Sequence, residues 1–178
     1  MFDRERFIED CVSAARQAES QRAVQEVLAR AMTDPAAVLQ ALGEPTKPGP
    51  QILYASESLT ILNATWPAYC VLQPHNHLMW SVVGLYSGRE DNILWRRLPG
   101  DGPSRVEAAG AKSMSTGDVL LLGKDIVHSV VNPISRMSCA IHIYGGDYFH
   151  TARSEWDPDT LSEKPLDLDA LLRRLGQK

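Results

Sequence analysis

The hydrophobic residues of positions 3–43 recur at the spacing of amphipathic helices. Two successive apolar faces are formed by Phe7, Cys11 and Ala14, then by Val24, Val27, Leu28 and Met32. Apolar positions three and four residues apart lie on one side of a helix, so the pattern predicts helices that bury one face. Asp34 before Pro35 signals a helix start, and Gly43 predicts that helix's end. We expect two or three helices packed outside the β-structure that follows; a protein-binding helical module is the alternative.

Beyond a cluster of structure-breaking residues at 46–50, the hydrophobic pattern becomes strand-like. Short β-prone segments separated by turn residues occupy positions 51–55, 59–64, 69–73, 80–86, 92–98, 119–122, 128–131 and 137–144. Short strands at this spacing are typical of a closed barrel or a double-sheet jelly roll. We therefore predict an all-β fold with N-terminal helices and a short C-terminal helix.

The length of 178 residues favours a single domain. A chain of this size buries roughly 70% of its unfolded surface, so it can form one sizeable core. We predict a helical segment at 1–45, a barrel at 50–148 and a C-terminal extension at 149–178 that ends in a helix at 167–175. The clearest loop runs from Pro99 to Pro103. The segment from Arg153 to Pro158 is expected to pack back near the barrel mouth, where Trp156 would help to cover it.

The charge and composition exclude several classes of partner. The formal net charge is −4 and the chain has no long run of Lys or Arg, which argues against nucleic acid or an anionic membrane as partners. No apolar stretch is long enough to span a membrane, and the polar start lacks the hydrophobic part of a signal peptide. We therefore expect a cytoplasmic protein. Its three cysteines have no paired spacing and are expected to be reduced.

Three histidines are the candidate chemistry. His75 and His77 are two residues apart next to a β-prone segment, and side chains at this spacing share one face of a strand. His128 begins a later predicted strand. Three neutral imidazoles that converge on one ion leave coordination positions open, as catalysis requires. The pattern predicts a metal site made of His75, His77 and His128.

The stretches around these histidines resemble the paired motifs of the cupin superfamily. In the second stretch, Gly117, His128 and Asn132 fall at the positions that the cupin pattern requires. In the first stretch, Gly88 is the closing glycine, and Ser81 stands where many cupins carry a metal-binding Glu. The resemblance implies a cupin double-stranded β-helix (jelly-roll) barrel whose metal is held by histidines alone.

A later segment, from His142 to Tyr144, resembles the His-x-Tyr segment of the thiol dioxygenases, the family of cysteine dioxygenase. The resemblance implies Fe(II) at the three-histidine site, with Zn, Ni or Mn as other possible occupants. It also implies an oxidoreductase that converts a small organic thiol and O2 to a sulfinate. The expected partners are this small substrate and O2, and the chain is expected to be a monomer or a homodimer.

Two roles are open for His142, because it is either a fourth ligand or a group that contacts the ligands. By the resemblance, it forms a relay that places the Tyr144 hydroxyl near bound substrate, which makes His142 and Tyr144 the candidate catalytic residues. A buried His and Tyr that serve only the core remain the alternative. Ala140 stands where the family's relay has a serine. Val82 stands where some members have a cysteine that crosslinks to the tyrosine, so this crosslink is not expected.

Cysteine dioxygenases hold the substrate carboxylate with an arginine in a Tyr-x-Arg segment, and here residues 54–56 read Tyr-Ala-Ser. The sequence offers Arg89, Arg96 and Arg97 as replacements, although each is better explained by a solvated face. We therefore expect cysteamine-like thiols to be preferred to L-cysteine.

Three further alternatives remain. Glu90 or Asp91 would give a site of two histidines and one carboxylate. A cupin that holds a metal without turnover, to bind or sense a small molecule, is the rival from another class. An oxygenase or isomerase that acts on a non-thiol substrate is the other enzymatic alternative.

Overall fold

The computed structural model describes residues 1–100, 102 and 104–175, and within them the chain forms four helices and eleven strands. The helices are α1 Arg4–Ala14, α2 Ser20–Ala31, α3 Pro35–Leu42 and α4 Leu168–Arg174. The strands are β1 Gly49–Ala55, β2 Thr60–Trp66, β3 Val71–Asn76, β4 Ser81–Ser87, β5 Arg89–Leu98, β6 Arg105–Ser115, β7 Val119–Leu122, β8 Val127–Val131, β9 Ser138–Tyr144, β10 Ser154–Trp156 and β11 Glu163–Pro165.

The strands form two antiparallel sheets, and most connections cross from one sheet to the other. The first sheet has the order β1-β2-β9-β4-β7, and the second has the order β11-β10-β3-β8-β5-β6. Strands that alternate between two facing sheets give the connectivity of a jelly roll. The predicted cupin double-stranded β-helix, with N-terminal helices and a short C-terminal helix, is confirmed.

The sequence pattern missed β6, β10 and β11. In β6, the buried side chains are Val106 and Met114, and most of the others are small or polar and exposed. Strand β6 is held by its pairing with β5, at the edge of the second sheet. An edge strand with so little apolar surface carries no alternating hydrophobic signal.

The predicted loop from Pro99 to Pro103 falls between β5 and β6. Asp101 and Pro103 of this loop lie outside the described residues, as do positions 176–178 of the predicted C-terminal extension.

The helices α1 to α3 cover the outer face of the first sheet. Leu28 of α2 packs on Gly84 of β4, where a Cβ atom would lie 2.9 Å from the Leu28 side chain. Val82 and Tyr86 of β4 join the cluster that the helices bury, while Val83 and Leu85 face the barrel interior. Because both faces of this sheet are covered, every residue of β2 and β9 is buried, and so is every residue of β4 except Ser87.

The C-terminal helix α4 closes one end of the barrel. Leu171 of α4 and Leu175, which follows the helix, pack in one cluster with Ala64, Trp66, Leu72 and Val130, which come from both sheets. The Asp167 carboxylate caps the helix by accepting from the Ala170 N–H at 2.8 Å. Trp156 was expected near the barrel mouth, but its ring is fully buried with Val106 and Val127 and lines no part of the mouth.

The three cysteines, Cys11, Cys70 and Cys139, form no disulfide. In the described part of the chain, no helix is both long enough and apolar enough to cross a membrane.

Candidate metal centre

Two neighbouring strands of the second sheet bring the three histidines together inside the barrel. His75 on β3 is the cross-strand partner of His128 on β8, and His77 follows the last residue of β3. The Nε2 atom of His77 is 3.3 Å from Nε2 of His75 and 3.2 Å from Nε2 of His128. All three side chains are buried. An irregularity in the β3–β8 pairing between Leu72 and His75 precedes the site, and bulges of this kind often re-aim side chains near functional sites.

Hydrogen bonds at the far side of the rings leave lone pairs pointing inward. Nδ1 of His75 is 2.9 Å from the Gln73 carbonyl oxygen, and Nδ1 of His128 is 2.8 Å from Oδ1 of Asn92. Both partners can only accept, so each Nδ1 carries the hydrogen and each Nε2 presents a lone pair. Nδ1 of His77 is 3.4 Å from the hydroxyl oxygen of Ser81, the residue at the position of the usual cupin Glu.

Burial keeps the three imidazoles neutral. Burial lowers the pKa of His75 to about 4. It also holds the pKa of His77 and of His128 well below the ordinary value, and the charge of the neighbouring histidines adds to the effect. Metal ligation requires the neutral imidazole, so the protonation state at neutral pH suits a metal ion.

The three histidine nitrogens meet the requirements of a metal site. All three ligand atoms lie within 4.8 Å of one another and are buried. The Nε2 lone pairs of His75 and His128 both face Nε2 of His77, which can offer them at most one hydrogen. A divalent cation can instead accept a lone pair from all three nitrogens. The group can hold a transition metal, and its imidazole donors do not select one metal over another.

Neither nearby carboxylate joins this group. Asp91 pairs with Arg89 at the surface, at 3.0 Å. Glu90 is fully buried, but its two oxygens accept hydrogen bonds from Nε1 of Trp66 at 2.8 Å and from Nδ2 of Asn92 at 2.9 Å. The alternative of two histidines and a carboxylate is therefore not favoured.

His142 and Tyr144 lie side by side on β9 in the barrel interior. Nδ1 of His142 is 3.1 Å from the Tyr144 hydroxyl oxygen, and the Tyr144 ring meets the His77 ring edge-on with 4.9 Å between centroids. His142 lies outside the cluster of three nitrogens and instead has its Nε2 3.7 Å from Oε2 of Glu90. Burial, followed by the neighbouring Tyr148, raises the pKa of Tyr144 well above its ordinary value, so the phenol keeps its proton.

Tyr148 and Arg153 are neighbours of the site that the sequence reasoning missed. The Tyr148 ring lies 4.4 Å from the Tyr144 ring, and the Arg153 guanidinium stacks on Tyr148 at 4.0 Å from its centroid. Arg153 is 7% exposed, and Nη1 donates to the Tyr148 and Thr151 carbonyls. Its Nε and Nη2 are buried and have no hydrogen-bond partner among the residues that the structure describes.

Arg153 lies behind Tyr148 because it precedes β10, which pairs with β3 where Glu155 is opposite His75, and it is not itself among the residues that line the cavity beside the histidines. After burial and the neighbouring histidines, the charge of Arg153 also lowers the pKa of His77. The only sequence signal for this contact was the expectation that the segment from Arg153 to Pro158 packs back near the barrel mouth. The replacements that the sequence offered do not reach the site, since Arg89 pairs with Asp91, Arg96 pairs with Glu107 and Arg97 lies over Trp156.

A small cavity of about 30 Å³ lies beside the histidines. Apart from the histidines and tyrosines, its walls are mainly apolar side chains such as Leu62, Leu72 and Val130. Leu171 and Leu172 of α4, and Leu175 just after the helix, complete them. Among the residues that the structure describes, no Asp or Glu lines it. A space of this size holds only a few water molecules.

A glycine beside Tyr144 allows the close contact that shapes this end of the barrel. The Gly145 N–H donates to the Trp80 carbonyl at 2.9 Å, and a Cβ atom at Gly145 would lie 2.0 Å from the Trp80 ring. We expect Gly145→Ala to reduce the free energy of unfolding by about 3 kcal/mol, because the indole has to move. Chemical denaturation measures the loss. Gly110→Ala is the control, since nothing lies within 4 Å of its Cβ position, and an equal loss in both variants would contradict the contact.

No protein-family model matches the sequence, and no curated protein is significantly similar to it. Solved structures give partial matches. DMSP lyase DddQ from Ruegeria pomeroyi DSS-3 is 18% identical, with a TM-score of 0.48, over 62% of this chain and 52% of that chain. The protein BH2720 from Bacillus halodurans is 13% identical, with a TM-score of 0.49, over 57% of this chain and 72% of that chain.

A cupin domain from Bordetella pertussis Tohama I is 17% identical, with a TM-score of 0.42, over 57% of this chain and 97% of that chain. The match spans only about half the length of the DddQ chain. The strand orders of the two sheets identify the fold of this chain as a cupin double-stranded β-helix. The three-histidine group lies in the interior of this barrel.

Proposed function

We propose that the protein is an Fe(II)-dependent thiol dioxygenase that converts a small organic thiol to a sulfinate. The observation that carries the proposal is the buried three-histidine group with the Tyr144 ring edge-on to His77, at 4.9 Å between centroids. Both atoms of O2 are transferred to sulfur, which loses four electrons while O2 gains four, so no outside reductant is needed. When bound, iron supplies the redox chemistry and favours the thiolate form of a bound thiol. The choice of iron rests on the family resemblance.

The residues of the chain hold and orient the reactants. The three neutral imidazoles would hold the ion and leave it coordination positions open for small ligands. The apolar walls exclude water from these positions, and α4 covers them. The Tyr144 hydroxyl, held at 3.1 Å by His142, is the protic group beside them.

Arg153 changes the expected substrate. The sequence favoured cysteamine-like thiols, because no arginine was apparent for a carboxylate. A buried guanidinium with two unsatisfied nitrogens is costly, and a carboxylate matches its planar donors. The ammonium group of cysteamine or L-cysteine would meet no carboxylate on the cavity wall. We therefore propose a short thiol that carries a carboxylate and no ammonium group, for which 3-mercaptopropionate is the probe.

We expect oxygen uptake by the iron-loaded protein to show a kcat/KM for 3-mercaptopropionate about 10- to 100-fold above that for cysteamine. A charge-assisted pair with a buried arginine is worth about 1.5–3 kcal/mol, which corresponds to this range. An oxygen electrode with product analysis measures the ratio, with L-cysteine as the third thiol. A clear preference for cysteamine would contradict the role of Arg153.

The matched variants are Arg153→Gln and Arg97→Gln. In Arg153→Gln, we expect the preference for the carboxylate to fall to nearly one while the metal content is kept. Arg97 lies over Trp156 on another part of the second sheet, so Arg97→Gln should retain the wild-type ratio. Metal analysis and a melting curve for each variant separate a lost contact from a damaged fold.

A metal-holding cupin without turnover is the second candidate. The small size of the cavity and its cover of leucines favour this candidate, because a resident ligand needs less access than a substrate that must exchange. If no thiol supports oxygen uptake by protein with a full complement of iron, this function replaces the dioxygenase.

A further inference from the structure

Glu90 is buried between the two sheets, although neither the three-histidine group nor the cavity wall includes it. It is fully buried and lies between His142 on one side and Asn92 on the other. Burial alone would raise its pKa, but the contact with His142 and the hydrogen bonds from Asn92 and Trp66 hold the pKa below its ordinary value. Glu90 is therefore a carboxylate, which can only accept hydrogen bonds.

The first contact fixes the proton on a metal ligand. Because Nδ2 of Asn92 donates to Glu90 at 2.9 Å, the Asn92 amide has to turn its Oδ1 towards His128, 2.8 Å away. An amide oxygen accepts, so the hydrogen of His128 sits on Nδ1 and the lone pair on Nε2 faces the other two histidines. Glu90 thus sets the ligating tautomer of His128 through one intervening amide.

The second contact acts on Tyr144. Nε2 of His142 is 3.7 Å from Oε2 of Glu90 and has no hydrogen-bond partner among the described residues, and the carboxylate favours a hydrogen on that nitrogen. Nδ1 of His142 then has the lone pair, and the Tyr144 hydroxyl donates to it at 3.1 Å. With its hydrogen directed at His142, the Tyr144 oxygen presents lone pairs to the space beside the metal site.

We propose that Glu90 is a positioning residue that fixes the tautomers of both His128 and His142 and so makes Tyr144 a hydrogen-bond acceptor towards the cavity. The hydroxyl of Tyr144 on β9 serves Nδ1 of His142, but Ala140 on the same strand offers none to Nε2, and Glu90 approaches Nε2 from β5 of the other sheet. The effect on turnover rests on the proposed function. The positions of the protons on His128 and His142 do not rest on it, because they are set in the protein without substrate.

The Glu90→Gln variant tests whether the side chain at position 90 has to accept hydrogen bonds with both of its oxygens, one facing Asn92 and the other facing His142. A glutamine amide has one accepting and one donating end, whereas Asn92 and Trp66 both donate to Glu90. If the amide oxygen faces Asn92, the amide nitrogen faces His142 and Trp66, and the tautomer of His142 changes. If the nitrogen faces Asn92, that side chain has to flip, and His128 is left with its hydrogen on the ligating nitrogen.

The experiment is 15N-edited NMR of the histidine side chains in the full chain loaded with diamagnetic Zn(II), together with the zinc dissociation constant. In the wild type, we expect the hydrogen of His142 on Nε2 and that of His128 on Nδ1, assigned with His142→Gln and His128→Gln. In Glu90→Gln, either His142 moves its hydrogen to Nδ1 at nearly unchanged zinc affinity, or zinc affinity falls about 10- to 100-fold, as loss of a ligand's supporting hydrogen bond does.

The control is Asp91→Asn, the neighbouring carboxylate, which pairs with Arg89 at the surface and should change neither quantity. A hydrogen on Nδ1 of wild-type His142, in the neutral or the doubly protonated ring, would overturn the proposal without any variant. Unchanged tautomers and zinc affinity in Glu90→Gln would overturn it as well. Because the readouts need neither thiol nor O2, a failed oxygen assay leaves this test intact.

Discussion

Replacement of His128 or His77 by alanine is expected to abolish metal binding. The wild type should hold about one transition metal ion per chain, because its three ligand nitrogens lie within 4.8 Å of one another. Each variant leaves two imidazoles in a buried apolar space, where no carboxylate of the described cavity wall can replace the missing imidazole. The loss should exceed the roughly 10- to 100-fold that removing a ligand's hydrogen-bond partner costs. Elemental analysis of the purified proteins measures the change.

His150→Ala is the matched control for these variants. His150 is exposed and pairs with Asp147 at 2.8 Å, away from the three-histidine group. This variant should keep the full metal content, so a loss in all three variants would point to handling and not to the site. Full occupancy in both His77→Ala and His128→Ala would refute the three-histidine assignment.

Tyr144→Phe is expected to separate metal content from turnover. The phenyl ring can keep the edge-on contact with His77, so the metal should be retained, while the hydroxyl that His142 orients is lost. Removal of a positioned proton-transfer group costs about 10²- to 10⁴-fold in rate, and we expect kcat to fall within that range. Iron content and oxygen uptake on the same preparation give the two numbers.

Tyr86→Phe provides the comparison, since its hydroxyl donates to Asn63 at 2.6 Å on the helix-covered face of the first sheet. It should lose about 1 kcal/mol of unfolding free energy with its hydrogen bond and keep the wild-type rate. Loss of iron in Tyr144→Phe would instead place the hydroxyl among the ligands. An unchanged rate would leave Tyr144 as a core residue.

The fold was largely predictable because its elements carry local signals. The helical face of Val24, Val27 and Leu28 reflects the burial of one side of α2, and the β-prone segments of β2, β4 and β9 lie in strands that are buried on both faces. Strand β6 was not predictable, because its alanines, glycine and serines are held in place by backbone pairing with β5, and this pairing leaves no periodic pattern in the sequence.

The site residues likewise divide into those with a local sequence signal and those placed by contacts between distant segments. Two histidines at strand spacing can be recognised within one segment, and a third can be matched by a motif. Glu90, Tyr148 and Arg153 act through contacts between segments distant in sequence, such as Glu90 to His142 across the two sheets. Glu90 was considered only as a metal ligand, and Arg153 was placed near the mouth without a partner. Which groups their side chains meet is decided by the pairing of β10 with β3 and by packing across the barrel interior.

The placement of the metal ligands on two paired strands also bears on how the barrel folds. His77 and His128 are 51 residues apart in the sequence, and the segment between them includes β4 to β7. An ion that binds both closes this loop in the manner of a covalent crosslink, and loop-closure entropy for a crosslink of this span amounts to about 4 kcal/mol. Metal loading and folding would therefore be linked equilibria, in which the ion stabilises the pairing of β3 with β8.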